Sequence, residues 1–169
     1  VSIDGWTTAR LDTVTFSHPD SWAAETHEDA DGTTVYLQSE AVAFGIVALY
    51  SEDVDPQDAV EQAMDSLREE HPGLELDPMD LDDRIFADGV AHEGLFMTLD
   101  TVAYCWIQSW RIAGRCALVF MQSVEKESAD CEEAFFRICR SFEVAPGGSG
   151  RRGGSGGRGA RHNLPADNP

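Results

Sequence analysis

The sequence predicts an α+β fold: a mostly antiparallel sheet, centred on a long β-hairpin and covered by helices on both faces. Three observations predict it. The run TVAYCWIQSWRIAGRCALVFMQSV alternates on either side of Ala113-Gly114 and is apolar on both faces. Two stretches, about 55–70 and 128–142, switch to helical spacing. Shorter alternating runs, bounded by turn residues, fill the remainder up to residue 145.

Val1 to Arg10 is a polar lead-in holding Trp6, and Leu11 to Phe16 reads as the first strand. His18-Pro19-Asp20 is a turn, because Pro fixes φ and Asp suits turn positions. Trp22 to His27 is a second strand, followed by the acidic turn Glu28 to Gly32. Thr33 to Ser39 and Ala43 to Ser51 are the next two strands. Asp55-Pro56 then opens a helix, with Asp as N-cap and Pro at the first helical position. Val60, Ala63, Met64 and Leu67 form its apolar stripe, and Pro72-Gly73 ends it. Leu74 to Leu81 is an acidic connector. Arg84 to Ala87 and Val90 to Leu99 read as two strands around Asp88-Gly89.

In the central hairpin Gly114 supplies the positive φ of a tight turn, which sets Arg111 opposite Cys116, Ser109 opposite Leu118 and Ile107 opposite Phe120. One face carries Tyr104, Trp106, Gln108 and Trp110 with Ala117, Val119 and Met121; the other carries Cys105, Ile107 and Ser109 with Leu118 and Phe120. In the last helix Ser128 is the expected N-cap, and Cys131, Phe135, Ile138 and Phe142 form one stripe facing the sheet. Carboxylates in its first turns and Arg137 and Arg140 near its end suit the helix dipole. From 146 to 169 the chain is Gly, Arg, Ser and Pro with a single Leu, which reads as a disordered tail and bounds the domain at 1–145.

The chain of 169 residues is long enough for one domain with a sizeable core. Its 31 Asp and Glu against 12 Lys and Arg give a net charge of −19. Residues 151–169 carry +3 of it, so the first 150 carry −22. Such a body repels nucleic acid and anionic membranes and suits solubility or basic partners. No apolar run is long enough to span a bilayer. No signal peptide is visible, so a cytoplasmic location is expected; the alternative is export, with a segment removed before Val1.

The four Cys contain no CxxC pair. Cys105 and Cys116 lie six residues out of register, roughly 20 Å apart along the strands. Cys131 and Cys139 are two helical turns apart, about 12 Å. Neither pair fits a disulfide. Four buried free thiols in a reducing compartment is the preferred reading, and a cross-link between helix and hairpin is the alternative.

His27 sits among Glu25, Glu28, Asp29 and Asp31, but the spacing matches no EF-hand or zinc motif, and a solvated acidic turn is the plainer reading. His71 suits the negative end of the first helix, His92 lies in a strand and His18 in a turn, none beside a nucleophile. There is no G-x-S-x-G, H-E-x-x-H or P-loop, so no catalytic residue, metal or cofactor is assigned and the chain is not expected to be an enzyme. The aromatic row Tyr104, Trp106 and Trp110 either packs under a helix or lines a groove for an apolar ligand or a partner helix. Trp110, beside Arg111 at the hairpin end, is the one expected to be exposed.

Phe16-x-x-Pro19-x-x-Trp22, the early strands, the Asp-Pro-led helix, the Gly89-containing strand pair, the long hairpin and the closing helix ending Ser141-Phe142-Glu143 together resemble the PsbP-like superfamily. Within it they resemble the bacterial DcrB-like proteins. The resemblance covers about residues 11–145, by order of elements more than by identity. It implies an α/β/α sandwich around a central antiparallel sheet. It also implies a mostly non-enzymatic role, binding or chaperoning other proteins. The expected function is therefore a non-catalytic protein-binding module, an adaptor or chaperone for a secreted or membrane-destined protein, with Tyr104, Trp106 and Trp110 as its partner-binding residues. Two alternatives stand beside it: an exported small-ligand-binding domain, and a hydrolase built from scattered His and carboxylate residues.

Overall fold

The computed structural model describes residues 5–82, 85–86, 88–98 and 100–146. The proposed tail, from 147 onward, lies outside the described residues. Two sheets and two helices build the fold. β3 (Ala23–Glu28), β4 (Gly32–Gln38), β5 (Phe44–Tyr50), β6 (Glu75–Pro78), β7 (Val90–Thr98), β8 (Thr101–Ile112) and β9 (Arg115–Val124) form the larger sheet. Its order is β3-β4-β5-β9-β8-β7-β6, and every neighbouring pair is antiparallel. The smaller sheet joins β1 (Trp6–Leu11), β2 (Val14–Pro19) and β10 (Glu143–Val144), with β2 in the middle.

The hairpin of β8 and β9 lies at the centre of the large sheet, as its two apolar faces require. Its register pairs Arg111 with Cys116, Ser109 with Leu118 and Ile107 with Phe120. Both turn residues take positive φ, 52° at Ala113 and 78° at Gly114. That is the primed turn whose twist matches the strands, and Gly relieves only half of its cost. Arg115 then ties the hairpin end to its surroundings. Its guanidinium donates to the carbonyls of Leu49 (3.1 Å) and Tyr50 (3.0 Å) and pairs with the Asp12 carboxylate.

α1 (Pro56–Glu70) packs on β7, β8 and β9. The Asp55 carboxylate accepts from the Gln57 amide at 2.9 Å, capping the helix as its sequence demands. Val60 and Met64 are buried beneath it with Phe96, Cys105, Ile107 and Leu118. α2 (Ser128–Arg140) packs on the opposite face, against β8, β9 and β2. Cys131, Phe135 and Ile138 enter a core shared with Leu11, Phe16, Leu37, Val119 and Met121. The sheet is thus sandwiched as expected, an α/β/α arrangement in which the small sheet shares one outer layer with α2.

Four local expectations are corrected. The first strand is a hairpin, because Asp12 adopts φ 49° and Asp12-Thr13 reverses the chain between Leu11 and Val14. His18, expected in a turn, is buried in β2 and bonds through Nδ1 to the Pro19 carbonyl. The acidic connector contains β6, and β6 rather than residues 84–87 pairs with β7. Within 84–87 only Ile85 and Phe86 are described; they form a turn whose amides reach the Asp82 carbonyl, and Arg84 and Ala87 lie outside the described residues. Ser128 does not cap α2: a 3₁₀ turn, Glu125–Glu127, precedes the helix, and the Ser128 hydroxyl donates back to the Glu125 carbonyl at 2.9 Å.

One core residue is costly. Gln108 is 0% exposed, paired in register with Ala91 and Val119, and neither polar atom of its amide has a hydrogen-bond partner. A buried unpaired amide costs about 1–3 kcal/mol. Gln108→Met keeps the length and removes the polar atoms, so it is expected to stabilise the protein by about 1–2 kcal/mol. Urea denaturation measures this, and a destabilised variant would refute it.

Candidate functional site

Two open quarters of the large sheet form the candidate sites. A sheet of seven strands is roughly 29 Å wide, whereas one helix with its side chains covers about 10 Å. α1 covers the half built from β7, β8 and β9 and its core takes in Ala48 of β5, leaving β4 open and the rest of β5 half-covered on that face. The open part presents Tyr36 (40% exposed), Phe44, Ile46 and Tyr50, since the alternate residues Val35, Leu37, Val47 and Leu49 point into the opposite core. The rings form a chain. His27 meets Tyr36 edge-on at 5.2 Å, Tyr36 stacks with Phe44 at 6.5 Å, and Phe44 meets Phe120 edge-on at 6.4 Å. Ala63 and Leu67, only half-buried on the α1 stripe, form the facing wall.

Two hollows of about 440 and 480 Å³ share Tyr50, Ala63 and Ser66, and together make one groove along α1. Its deeper end is apolar, with Phe44, Ile46, Leu118 and Phe120; Glu70 stands at that end and Asp31 at the other. Burial raises the Tyr50 phenol above its ordinary value, and charge on Cys116 and Tyr36 adds to the effect. The hydroxyl therefore stays protonated at neutral pH.

The predicted aromatic row divides between cleft and core. Trp110 is 2% exposed, wedged edge-on between Phe86 at 5.3 Å and Phe142 at 4.9 Å. Its expected exposure is thus corrected: the end of α2 and the turn at 85–86 both close over it. Trp106 is 4% exposed and stacks with half-buried Tyr104 at 6.4 Å. These two do reach a cleft, on the α2 face, of about 390 Å³.

The remaining polar candidates are dispersed. His27 pairs with Glu25 at 3.1 Å on the fully exposed edge strand β3. His71 stacks on Phe96 at 4.0 Å. His92 projects toward α1; burial, then the Arg68 charge, lowers its pKa, and its Nδ1 has no hydrogen-bond partner. Among the described residues no group of three His, Cys, Asp or Glu is placed to hold a metal ion.

All four cysteines are free and buried, Cys105 and Cys116 on the α1 side and Cys131 and Cys139 on the α2 side. The sheet separates the two pairs, which leaves no helix-to-hairpin cross-link. Burial pushes the thiols up, Cys105 to about 11 and Cys131 to about 12. At neutral pH none is a nucleophile.

No family model matches the chain, and no curated protein matches it. Solved structures do. The solution structure of cyanobacterial PsbP from Synechocystis sp. PCC 6803 aligns with a TM-score of 0.58 at 14% identity, covering 86% of this chain and 95% of that one. The Ran-binding protein Mog1p of Saccharomyces cerevisiae gives 0.57 at 11% identity, covering 82% and 95%. LpqN of Mycobacterium tuberculosis, described as involved in cell envelope biogenesis, gives 0.51 at 14%, covering 83% and 91%. The chain therefore shares with these proteins an α/β/α sandwich fold. At these identities the likeness defines the fold and nothing finer.

Proposed function

We propose that this protein is a non-catalytic protein-binding module of the DcrB-like branch, an adaptor or chaperone that holds an apolar segment of a secreted or membrane-destined partner. The observation that carries this reading is the groove along α1. An apolar, aromatic half-face of the sheet lies beside a helix and leaves room for one more helix. An amphipathic helix would complete the layer, burying its stripe on Phe44, Ile46 and Phe120. Basic residues flanking that stripe would meet Glu70 and Asp31 at the groove's ends. Mog1p, described as a Ran-binding protein, supports by analogy the use of this fold for protein binding. No described helix is long and apolar enough to cross a membrane; the location we propose is cytoplasmic. LpqN keeps the exported alternative in view.

The test compares tagged wild type with Ile46→Glu, each expressed in the native host and purified under identical conditions. A carboxylate placed in an apolar interface loses several kcal/mol of solvation. Ile46→Glu is therefore expected to lose a stoichiometric partner that wild type retains, with thermal melts confirming that both are folded. A partner retained by folded Ile46→Glu would reject the groove. A wild type that retains no stoichiometric protein would count against the module itself.

A further inference from the structure

The C-terminal half of α1 is seated on the sheet beside a histidine. His92 lies on β7 between Pro78 of β6 and Ile107 of β8, and Ile107 belongs to the core that Val60 and Met64 enter from α1. Its ring is therefore on the α1 face. Nδ1 is buried and has no hydrogen-bond partner. A neutral ring tolerates this by keeping its proton on Nε2 and leaving Nδ1 as a bare lone pair. A protonated ring carries N–H on both nitrogens, and a charged donor at Nδ1 is then buried without an acceptor.

The groups around the ring offer a proton no compensation. From α1, Arg68 in the last turn is the charge whose field acts on His92, and it repels a second cation. Asp65, also on α1, is exposed and already engaged by Arg68 at 3.0 Å. His71, which ends the helix, stacks on Phe96 at 4.0 Å and brings no anion. From β6 and β7, Asp77 and Glu93 alternate onto the opposite face. From β8, the Cys105 thiol is pushed up to about 11 and is neutral. Burial first, then Arg68, lowers the His92 pKa below its ordinary 6.5. Above that pH the ring is neutral whether α1 is seated or raised. Below it, raising the helix opens the ring to water and lets it take a proton that the seated ring resists. The seat therefore loses stability as pH falls from 6.5 toward the lowered value.

We propose that His92 is a proton-operated release for α1: a proton on its ring, beside Arg68 and with no acceptor at Nδ1, loosens the C-terminal half of the helix from β7 while the α2 layer stays closed. Ala63 and Leu67 on the same helix wall the groove described above, so acid also loosens that wall. The release concerns the helix itself and operates whether or not the groove holds a partner.

The experiment uses the full chain at about pH 7.5 and about pH 5.5, on either side of the ordinary histidine value. Hydrogen exchange, corrected for the intrinsic rate at each pH, compares the amides of α1 with those of α2. In the wild type the ratio of α1 to α2 exchange is expected to rise about three- to tenfold on acidification. In His92→Gln, a polar side chain that takes no proton, the ratio should stay within about twofold. The His92 ring resonances of the wild type, followed by NMR through the same range, should titrate below 6.5, and this measurement needs no variant. An equal rise in His92→Gln, an acceleration shared evenly by α1 and α2, or a ring that titrates at or above 6.5 would overturn the proposal.

Discussion

Trp110→Ala is expected to destabilise the protein by about 3–5 kcal/mol, the range for removing a large buried aromatic side chain. For a domain of this size that lowers the melting temperature by roughly 10 °C. The ring is 2% exposed and meets Phe86 and Phe142 edge-on, so its loss opens a cavity and breaks two aromatic contacts at once. Those contacts join the middle of the sheet to the exit of α2 and to the turn at 85–86, three parts that nothing local holds together. Trp110→Phe should recover more than half of the loss. Scanning calorimetry decides the point, and a Trp110→Ala protein that melts within 2 °C of wild type would place the ring outside the core. The same reasoning governs any binding assay. A partner lost with Trp110→Ala reports a weakened fold, whereas one lost with Tyr104→Ala reports the cleft.

Gly94→Val is expected to detach β6 from the sheet. A Cβ at this position would stand 2.3 Å from the Glu75 carbonyl oxygen and 2.7 Å from Leu76 Cδ2. The carbonyl belongs to the strand backbone, so relief requires moving β6 itself. Overpacking of this kind costs about 1–3 kcal/mol, more than a four-residue edge strand gains from its pairing. Hydrogen exchange at Asp77, whose amide faces β7, should accelerate at least about tenfold while the β9 amides keep their protection. Glu75 and Asp77 would leave the cleft with the strand. Unaltered protection in β6 would show that the two backbones are not so close.

Local pattern was enough for the central hairpin and α1. Apolar alternation on two faces, with Gly114 between them, specifies both the register and the central position of β8 and β9. Asp55-Pro56 marks the start of α1 because cap and first turn are chemically distinct from a strand. Where local pattern failed, the reasons are physical. The β1–β2 turn carries no glycine; Asp12 bears the left-handed conformation instead, so the reversal looks like continuous strand. β6 is an edge strand of acidic residues ending in Pro78, with only Leu76 offering an apolar contact, and it resembles a loop. Ile85-Phe86 resembles a strand because it is apolar, yet Phe86 serves as a wedge on Trp110. Trp110 itself looks exposed beside Arg111 because the groups that bury it arrive from distant segments. The open part of the sheet has a legible alternation in Tyr36, Phe44, Ile46 and Tyr50. Which half α1 covers is decided by the long connections around it, and no window of sequence contains that choice.

The sheet also divides the cysteines, and this gives the molecule a clock on each side. A buried thiol reacts with an alkylating reagent only when its layer opens, so the modification rate of each cysteine times that opening. Cys105 and Cys116 time the α1 layer, and Cys131 and Cys139 time the α2 layer. If the domain unfolds as one unit, all four are modified in step. If α1 lifts alone, its two run ahead, and a ligand seated along that helix would slow those two and leave the other pair's timing unchanged.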